Sequence, residues 1–315
     1  MKGSINYQVG KVMGEVFSPG QSRHVDKANA REELAEKGIP LTMQNINRLT
    51  DIHSYRSYYD YKDTVKDLME HVREEYGVKD IQQIEEKHVQ SFLESRTADE
   101  ISYSTFRKEC SHLQKFERAL EKFDGKTRDF SSSIEAAKEE AREVLSRNQK
   151  ETGGFNNPQA VIEKLNNQNH KIAANIQLES GCRVHETVLI KPEQLRGLGH
   201  DSFSGQQKGL IDVRGKGGKF REVKVSVNTY NKLKEVVDKD GVFKTNYHNY
   251  RSAVYQAAKS LNEPVSGTHD FRYCFAQNRM SELQTKGGMD YYSARQDVSI
   301  EMGHVRPGIT EVYLR

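Results

Sequence analysis

From about residue 50 the apolar residues fall into a helical rhythm. Tyr58, Tyr61, Val65, Leu68, Met69, Val72 and Tyr76 recur at steps of three and four, which predicts an amphipathic helix stopping at Gly77. A second helix is predicted around Val89, Phe92 and Leu93. A third starts at Ser104 or Thr105 and carries Phe106, Cys110, Leu113, Phe116, Leu120 and Phe123 on its apolar face, with Asp124-Gly125-Lys126 closing the bundle. Before residue 49 the pattern is weak, and only a short helix near 28–37, ended by Gly38 and Pro40, is expected. Beyond the bundle, 134–149 reads as a charged helix with a thin stripe of Ile134, Ala137, Ala141, Val144 and Leu145. Gly153-Gly154, followed by Asn157 as cap and Pro158 as first helical residue, marks the entry to a second domain.

In that domain helices are predicted at 159–165 and 171–178, the latter ending at Gly181. The period then changes from 3.6 to 2. Leu210 to Val213 and Glu222 to Val227 read as a hairpin whose second strand puts Val223, Val225 and Val227 on one face. Helices return afterwards. The fold class is therefore mostly α with a small β-sheet (α+β). Four parts are expected: an N-terminal extension, 1–48; a helical bundle, 49–125; a linker with a charged helix, 126–157; and a second domain, 158–315.

With 315 residues, 30 % charged and 35 % apolar, the chain can bury two ordinary cores. No apolar run approaches the ~20 residues needed to cross a bilayer, and the start lacks a secretory signal, so a cytoplasmic protein without a membrane partner is expected. Three widely spaced cysteines, Cys110, Cys182 and Cys274, fit neither a disulfide framework nor a zinc site. The net charge of +3 does not announce nucleic acid, but its distribution changes the picture. Lys208, Arg214, Lys216, Lys219, Arg221 and Lys224 crowd the hairpin against only Asp212 and Glu222. Arg107, Lys108, Lys115, Arg118 and Lys122 lie on the other faces of the third helix, a surface suited to a DNA groove.

The candidate chemistry lies in scattered residues of the second domain: Arg183, Lys216 in a glycine turn, His269-Asp-Phe-Arg272, Gly303-His304 and Tyr313. Breaking a phosphodiester without a metal requires fixed cations where charge grows on the phosphorus, and two arginine forks, Arg183 and Arg272, supply them. A tyrosine can displace the sugar oxygen and hold the strand as a reversible ester. The departing 5′-oxygen needs an acid, a role for Lys216 or its neighbour Lys219, and a histidine can take or orient the phenol's proton.

These boxes resemble the tyrosine recombinase (phage integrase) family. Glu179-Ser-Gly-Cys-Arg183-Val-His-Glu186 is similar to its first arginine box, and Val213-Arg-Gly-Lys216-Gly-Gly to its lysine turn. His269-Asp-Phe-Arg272 is similar to its His-x-x-Arg box, and Gly303-His304 with Tyr313 nine residues on to its closing box. Two departures stand out: Phe271 replaces the usual leucine, and Tyr273 stands where a second histidine is common. The resemblance implies a helical SAM-like core-binding domain followed by a recombinase catalytic domain. It also implies roles: Arg183, Arg272 and His304 on the phosphate, Lys216 as acid, His269 at the phenol, Glu186 bracing the site, and Tyr313 as nucleophile. DNA contacts are expected from Arg107, Lys108, Lys115, Arg118, Lys122, Arg214, Lys219 and Arg221. No cofactor, metal or ATP is implied. The implied partners are double-stranded recombination sites, three further copies in a homo-tetramer, and accessory DNA-bending proteins; the implied setting is a bacterial mobile element or phage. Two other classes use related parts, a type IB topoisomerase and a non-catalytic DNA-binding relative. Tyr273, Tyr291 and Tyr292 are rival phenols that precede His304.

Overall fold

The apolar stripes of the N-terminal half close on one another in the computed structural model, which describes residues 1–145, 153–215, 218, 220–264, 267–304 and 306–314. The chain divides into two units, Met1–Gln149 and Lys150–Arg315. Helices α1 (Ile5–Gly14), α2 (Arg23–Glu36), α3 (Met43–Leu49), α4 (Tyr55–Tyr76), α5 (Glu86–Ala98), α6 (Tyr103–Asp124) and α7 (Ser131–Val144) make up the first. Phe106, Cys110, Leu113, Phe116 and Leu120 of α6 are fully buried against Val65, Leu68, Met69 and Val72 of α4. This is the burial that three- and four-residue spacing demands.

Two expected boundaries shift. Val9, Val12 and Met13 of α1 belong to the same core as α4 and α6, so the first 48 residues are not a separate extension. Phe130, Ile134, Ala141 and Leu145, from α7 and its ends, also join it, so most of the expected linker is part of the bundle. The predicted end of that helix at 146–149 lies outside the described residues.

Lys115 shows how a polar residue is drawn into this core. It is 4 % exposed, and its ammonium donates to the carbonyls of Asn47, Arg48 and Thr50, at the C-terminal end of α3. A short helix leaves such carbonyls without partners, and a lysine satisfies several at once. Burial pulls its pKa from 10.5 down to about 7, the Arg118 charge adds to this, and Asp51 and Asp26 oppose it. Because the folded value lies below the unfolded one, stability should rise between about pH 7 and 10.5 and stay level below that window. Lys115→Met, which keeps the volume and removes the ammonium donor from the Arg48 and Thr50 carbonyls, is expected to destabilise the first unit by about 2–4 kcal/mol in urea denaturation. A loss below about 0.5 kcal/mol would contradict this role.

The second unit opens with α8 (Pro158–Lys164), α9 (Gln168–Ser180) and the one-turn α10 (Val184–Thr187). Asn157 caps α8 by accepting from the Ala160 amide at 3.1 Å, with Pro158 as first residue, as the sequence predicts. Strand β1 (Leu189–Ile190) leads to β2 (Leu195–His200), β3 (Gln207–Arg214) and β4 (Phe220–Ser226), an antiparallel sheet in the order β2-β3-β4. The hairpin was legible, whereas β2, broken by a register shift between Leu195 and Gly197, was not. Then follow α11 (Val227–Asp240), β5 (Phe243–Lys244, paired with β1), α12 (Tyr247–Ser260), α13 (Asp270–Thr285) and α14 (Tyr291–Glu301). A 3-10 helix, Pro307–Tyr313, comes last. The unit's main core joins α8, α9, α11, α12 and the sheet, and a second cluster around Tyr273, Phe275, Met280, Val298 and Met302 seats Tyr313. All three cysteines are free and buried.

Candidate active site

Among the described residues, each candidate side chain is delivered by the end of an element. Helix α9 stops at Gly181, and two residues on Arg183 becomes the N-cap position of α10. Arg272 sits in the first turn of α13 and His269 just before it. His304 follows α14, where Gly303 takes φ +69 and the His304 amide closes back on the Ser299 carbonyl at 2.9 Å. A side chain at 303 would be strained, and its Cβ would lie 3.0 Å from Arg221 Nη1. Glycine is thus what allows the chain to turn His304 inward.

The groups converge. His269 Nε2 lies 2.7 Å from the Tyr313 hydroxyl, and Arg272 Cζ is 5.5 Å from the centre of the same ring. Arg272 is fully buried. Its Nη1 donates to the Gly181 carbonyl, and its Nη2 to the Met302 carbonyl at 3.3 Å and to His304 Nε2 at 3.0 Å. Its Nε has no hydrogen-bond acceptor among the described residues, so a donor is left unspent in a buried site. The other nitrogen of His304, Nδ1, pairs with Thr310 Oγ1 at 2.9 Å. Burial first, then the charges of Arg272, Arg183, Arg221 and His269, holds the His304 pKa down to about 4. Its imidazole is therefore neutral at pH 7, with Nε2 as acceptor and the proton on Nδ1.

Glu186 ties the arginines together. It is 5 % exposed and accepts from the Arg183 amide at 2.7 Å and from Arg183 Nη1 at 3.2 Å. Arg221 grips it with two nitrogens, at 3.0 and 2.7 Å. Burial pushes its pKa up, but Arg221 and Arg183 prevail and keep it below the usual carboxylate range. Glu186 is thus placed to orient Arg183.

Several expected DNA contacts are already engaged within the fold. Arg221 is a correction: it is committed to Glu186, and its Nε to the Glu301 carbonyl at 3.2 Å. The alternation of β4 held that signal, because Arg221 shares the face of Val223 and Val225. Lys115 is a second correction, buried under α3 as described. Arg118 and Lys122 meet Asp51 at 3.1 and 3.2 Å. Arg107, Lys108 and Arg214 are exposed, and no carboxylate pairs with them among the described residues. Lys216 and Lys219 lie outside the described residues. Thr310 was missed altogether, although a 3-10 helix eclipses residues three apart and so aligns it with Tyr313.

Chemically, two guanidiniums, a neutral imidazole and a phenol bonded to a second imidazole can hold a tetrahedral anion beside an oxygen nucleophile. Residues 40–128 match the family described as phage integrase, N-terminal. Among solved structures, the chain is similar to the XerH site-specific recombinase bound to a palindromic difH substrate in a post-cleavage complex. The identity is 14 % and the TM-score 0.62, over 99 % of this chain and 93 % of that one. It is also similar to the Tn1549 transposon integrase in complex with a circular-intermediate DNA, at 13 % identity and a TM-score of 0.56 over 92 % of this chain and 94 % of that one. These likenesses show the fold. No curated protein matches the sequence.

Proposed function

For a chain with the phage integrase N-terminal domain and the tyrosine-recombinase fold, we propose the function of a site-specific DNA recombinase that cuts and rejoins strands through Tyr313. The observation that carries this reading is the 2.7 Å contact between the Tyr313 hydroxyl and His269, made beside the buried Arg272 that also binds His304. Arg183 and Arg272 take the non-bridging oxygens of the scissile phosphate, and Arg272 Nε supplies a donor that has no acceptor among the described residues. His269 accepts the phenolic proton as Tyr313 attacks phosphorus. The bond to the 5′-oxygen breaks, and that oxygen takes a proton from Lys216 as general acid. The products are a 3′-phosphotyrosyl ester and a 5′-hydroxyl. A 5′-hydroxyl from a second duplex reverses the step, so the ester conserves the bond energy and no ATP is consumed.

His304 has to change partners in this scheme. Its Nε2 accepts from Arg272 in the free protein, and it becomes a donor to phosphate only if the proton moves from Nδ1. The Thr310 hydroxyl can accept or donate, so it serves either tautomer. Arg107, Lys108 and Arg214 serve as phosphate contacts along the duplex. Arg118, Lys122 and Lys219 are proposed beside them, the first two only by exchanging Asp51 for phosphate. Four copies act on two sites, in the integration or excision of a mobile element or phage, with DNA-bending proteins as helpers.

The test is a selection. A library of nicked duplexes with random central sequence is incubated with the protein, and DNA that survives denaturing detergent on the protein is sequenced. The reading expects captured DNA with a shared sequence and strand exchange between two recovered sites. Adducts without sequence preference, with relaxation of a supercoiled plasmid lacking the recovered site, would point instead to a topoisomerase. DNA binding with no adduct would reduce the protein to a binding relative. Affinity for the recovered site is expected to fall roughly 10²-fold or more between about 50 and 200 mM salt, as about four or more neutralised phosphates require. A flat response would contradict the phosphate grip.

A further inference from the structure

Among the described residues, four side chains make ring or cation contacts with the Tyr313 ring. Three of them, His269, Arg272 and His304, have proton or phosphate chemistry to perform in the reading above. The fourth, Tyr273, has none. Its ring centre lies 4.7 Å from that of Tyr313 with the planes tilted by 42°, and 6.1 Å from His269 in an edge-on arrangement. Offset contacts of this kind restrict how either ring can turn. The Tyr273 side chain is 8 % exposed, yet its hydroxyl makes no hydrogen bond among the described residues.

Tyr273 is itself held by backbone. The chain at Gly153 lies so close to its ring that a Cβ there would sit 2.4 Å from Cε1 and 2.5 Å from Cδ1. At Gly154 a Cβ would sit 3.2 Å from the Cβ of Tyr273. This strap is pinned at several points. Gln277 Nε2 donates to the Gly153 carbonyl at 3.3 Å, and Cys274 Sγ to the Phe155 carbonyl at 3.4 Å. The Phe155 ring meets Phe271 edge-on at 4.9 Å, and the amides of Asn156 and Asn157 donate to Glu263 at 2.6 and 2.9 Å. A fixed strap, a ring against it and the Tyr313 phenol against that ring make a continuous mechanical line.

We propose that Tyr273 is a positioning residue for the nucleophile, its ring held by the Gly153–Phe155 strap and setting the angle at which the Tyr313 phenol meets the scissile phosphate. The proposal rests on Tyr313 being the nucleophile. In-line attack tolerates little angular error, so a phenol free to turn spends less of its time poised to react. The strap lies near the start of the second unit.

The experiment uses the full-length protein and the nicked duplexes recovered by the selection. Adduct formation is measured in single turnover at saturating protein, with DNA affinity and melting temperature measured alongside. Tyr273→Phe keeps the ring and is expected to react within twofold of the unaltered protein. Tyr273→Leu keeps much of the volume without the flat face, and Gly153→Ala pushes a methyl group into the ring. Each is expected to slow adduct formation at least tenfold while affinity stays within twofold. If Tyr273→Leu does not fold, Gly153→Ala decides the matter. The proposal is overturned if the folded variants react within twofold, if Tyr273→Phe is as slow as Tyr273→Leu, or if the lost rate is matched by lost affinity or lost folded protein. The failure of the underlying reading looks different: the unaltered protein would then form no adduct through Tyr313 at all.

Discussion

Replacing Tyr313 by phenylalanine is expected to leave DNA affinity nearly unchanged and to remove the covalent adduct completely. The ring would keep its neighbours, Tyr273 at 4.7 Å, His304 at 5.3 Å and the Arg272 guanidinium, so the pocket should stay closed. What disappears is the hydroxyl and its hydrogen bond to His269. The stability cost of one such bond is about 1 kcal/mol, too little to unfold a domain of this size. The chemistry has no substitute, because a carbon edge cannot attack phosphorus. Tyr273 is the nearest other phenol, but burial and the nearby Tyr313 and Asp270 raise its pKa. Tyr291 spends its hydroxyl on Glu311 at 2.8 Å, and Tyr292 is 71 % exposed on α14. An adduct from Tyr313→Phe on a nicked duplex would show that one of these is the nucleophile.

Arg272→Ala is expected to have the second largest effect, and a double one. The guanidinium ties the end of α9 (Gly181), the end of α14 (Met302) and His304 into one piece. Deleting it empties a fully buried site and leaves two carbonyls without donors, a cost of about 3–5 kcal/mol measured by chemical denaturation. Cleavage should fall by roughly 10³-fold or more, since a pre-placed donor to a developing anion is worth about that much. Arg272→Lys keeps a positive charge but cannot span three acceptors, so it should recover part of the stability and little of the rate. The same variants test the electrostatics. With Arg272 gone, the His304 pKa should move up from about 4, because the largest neighbouring charge holding it down has been removed. In the unaltered protein His304 weakens the fold in acid. The unfolded chain takes up this proton near 6.5 and the folded one only near 4, so stability falls as pH drops through that window and is level above it. Titration of the His304 ring by NMR in both proteins measures this, and equal pKa values would contradict the contact.

From α4 onward the helices of the first unit were legible because their burial is one-sided: Val65, Leu68, Met69 and Val72 repeat at helical spacing and all reach the core. Helix α3 was not, because its Met43–Leu49 stretch buries only Ile46 and is held instead by Lys115, a residue whose charge argued for solvent. Within the site, the order and spacing of the boxes picked out His269, Arg272, His304 and Tyr313, and the fold brings these four together. The supporting residues were harder to find. Thr310, Gly181 and Tyr273 act through a hydroxyl, a backbone carbonyl and a ring face, groups that any residue of their kind could supply. Arg221 was read by its charge and not by its position in the alternation of β4. A strand with Val223 and Val225 facing inward had already placed it inside.

Which atom carries the DNA can be read directly. After trapping on a nicked duplex, digestion with protease and nuclease followed by mass spectrometry locates the attached nucleotide. The expected product is a nucleotide joined through its 3′-phosphate to the peptide containing Tyr313, with a free 5′-hydroxyl on the released strand. A nucleotide on any other residue, or one joined through its 5′-phosphate, would contradict it.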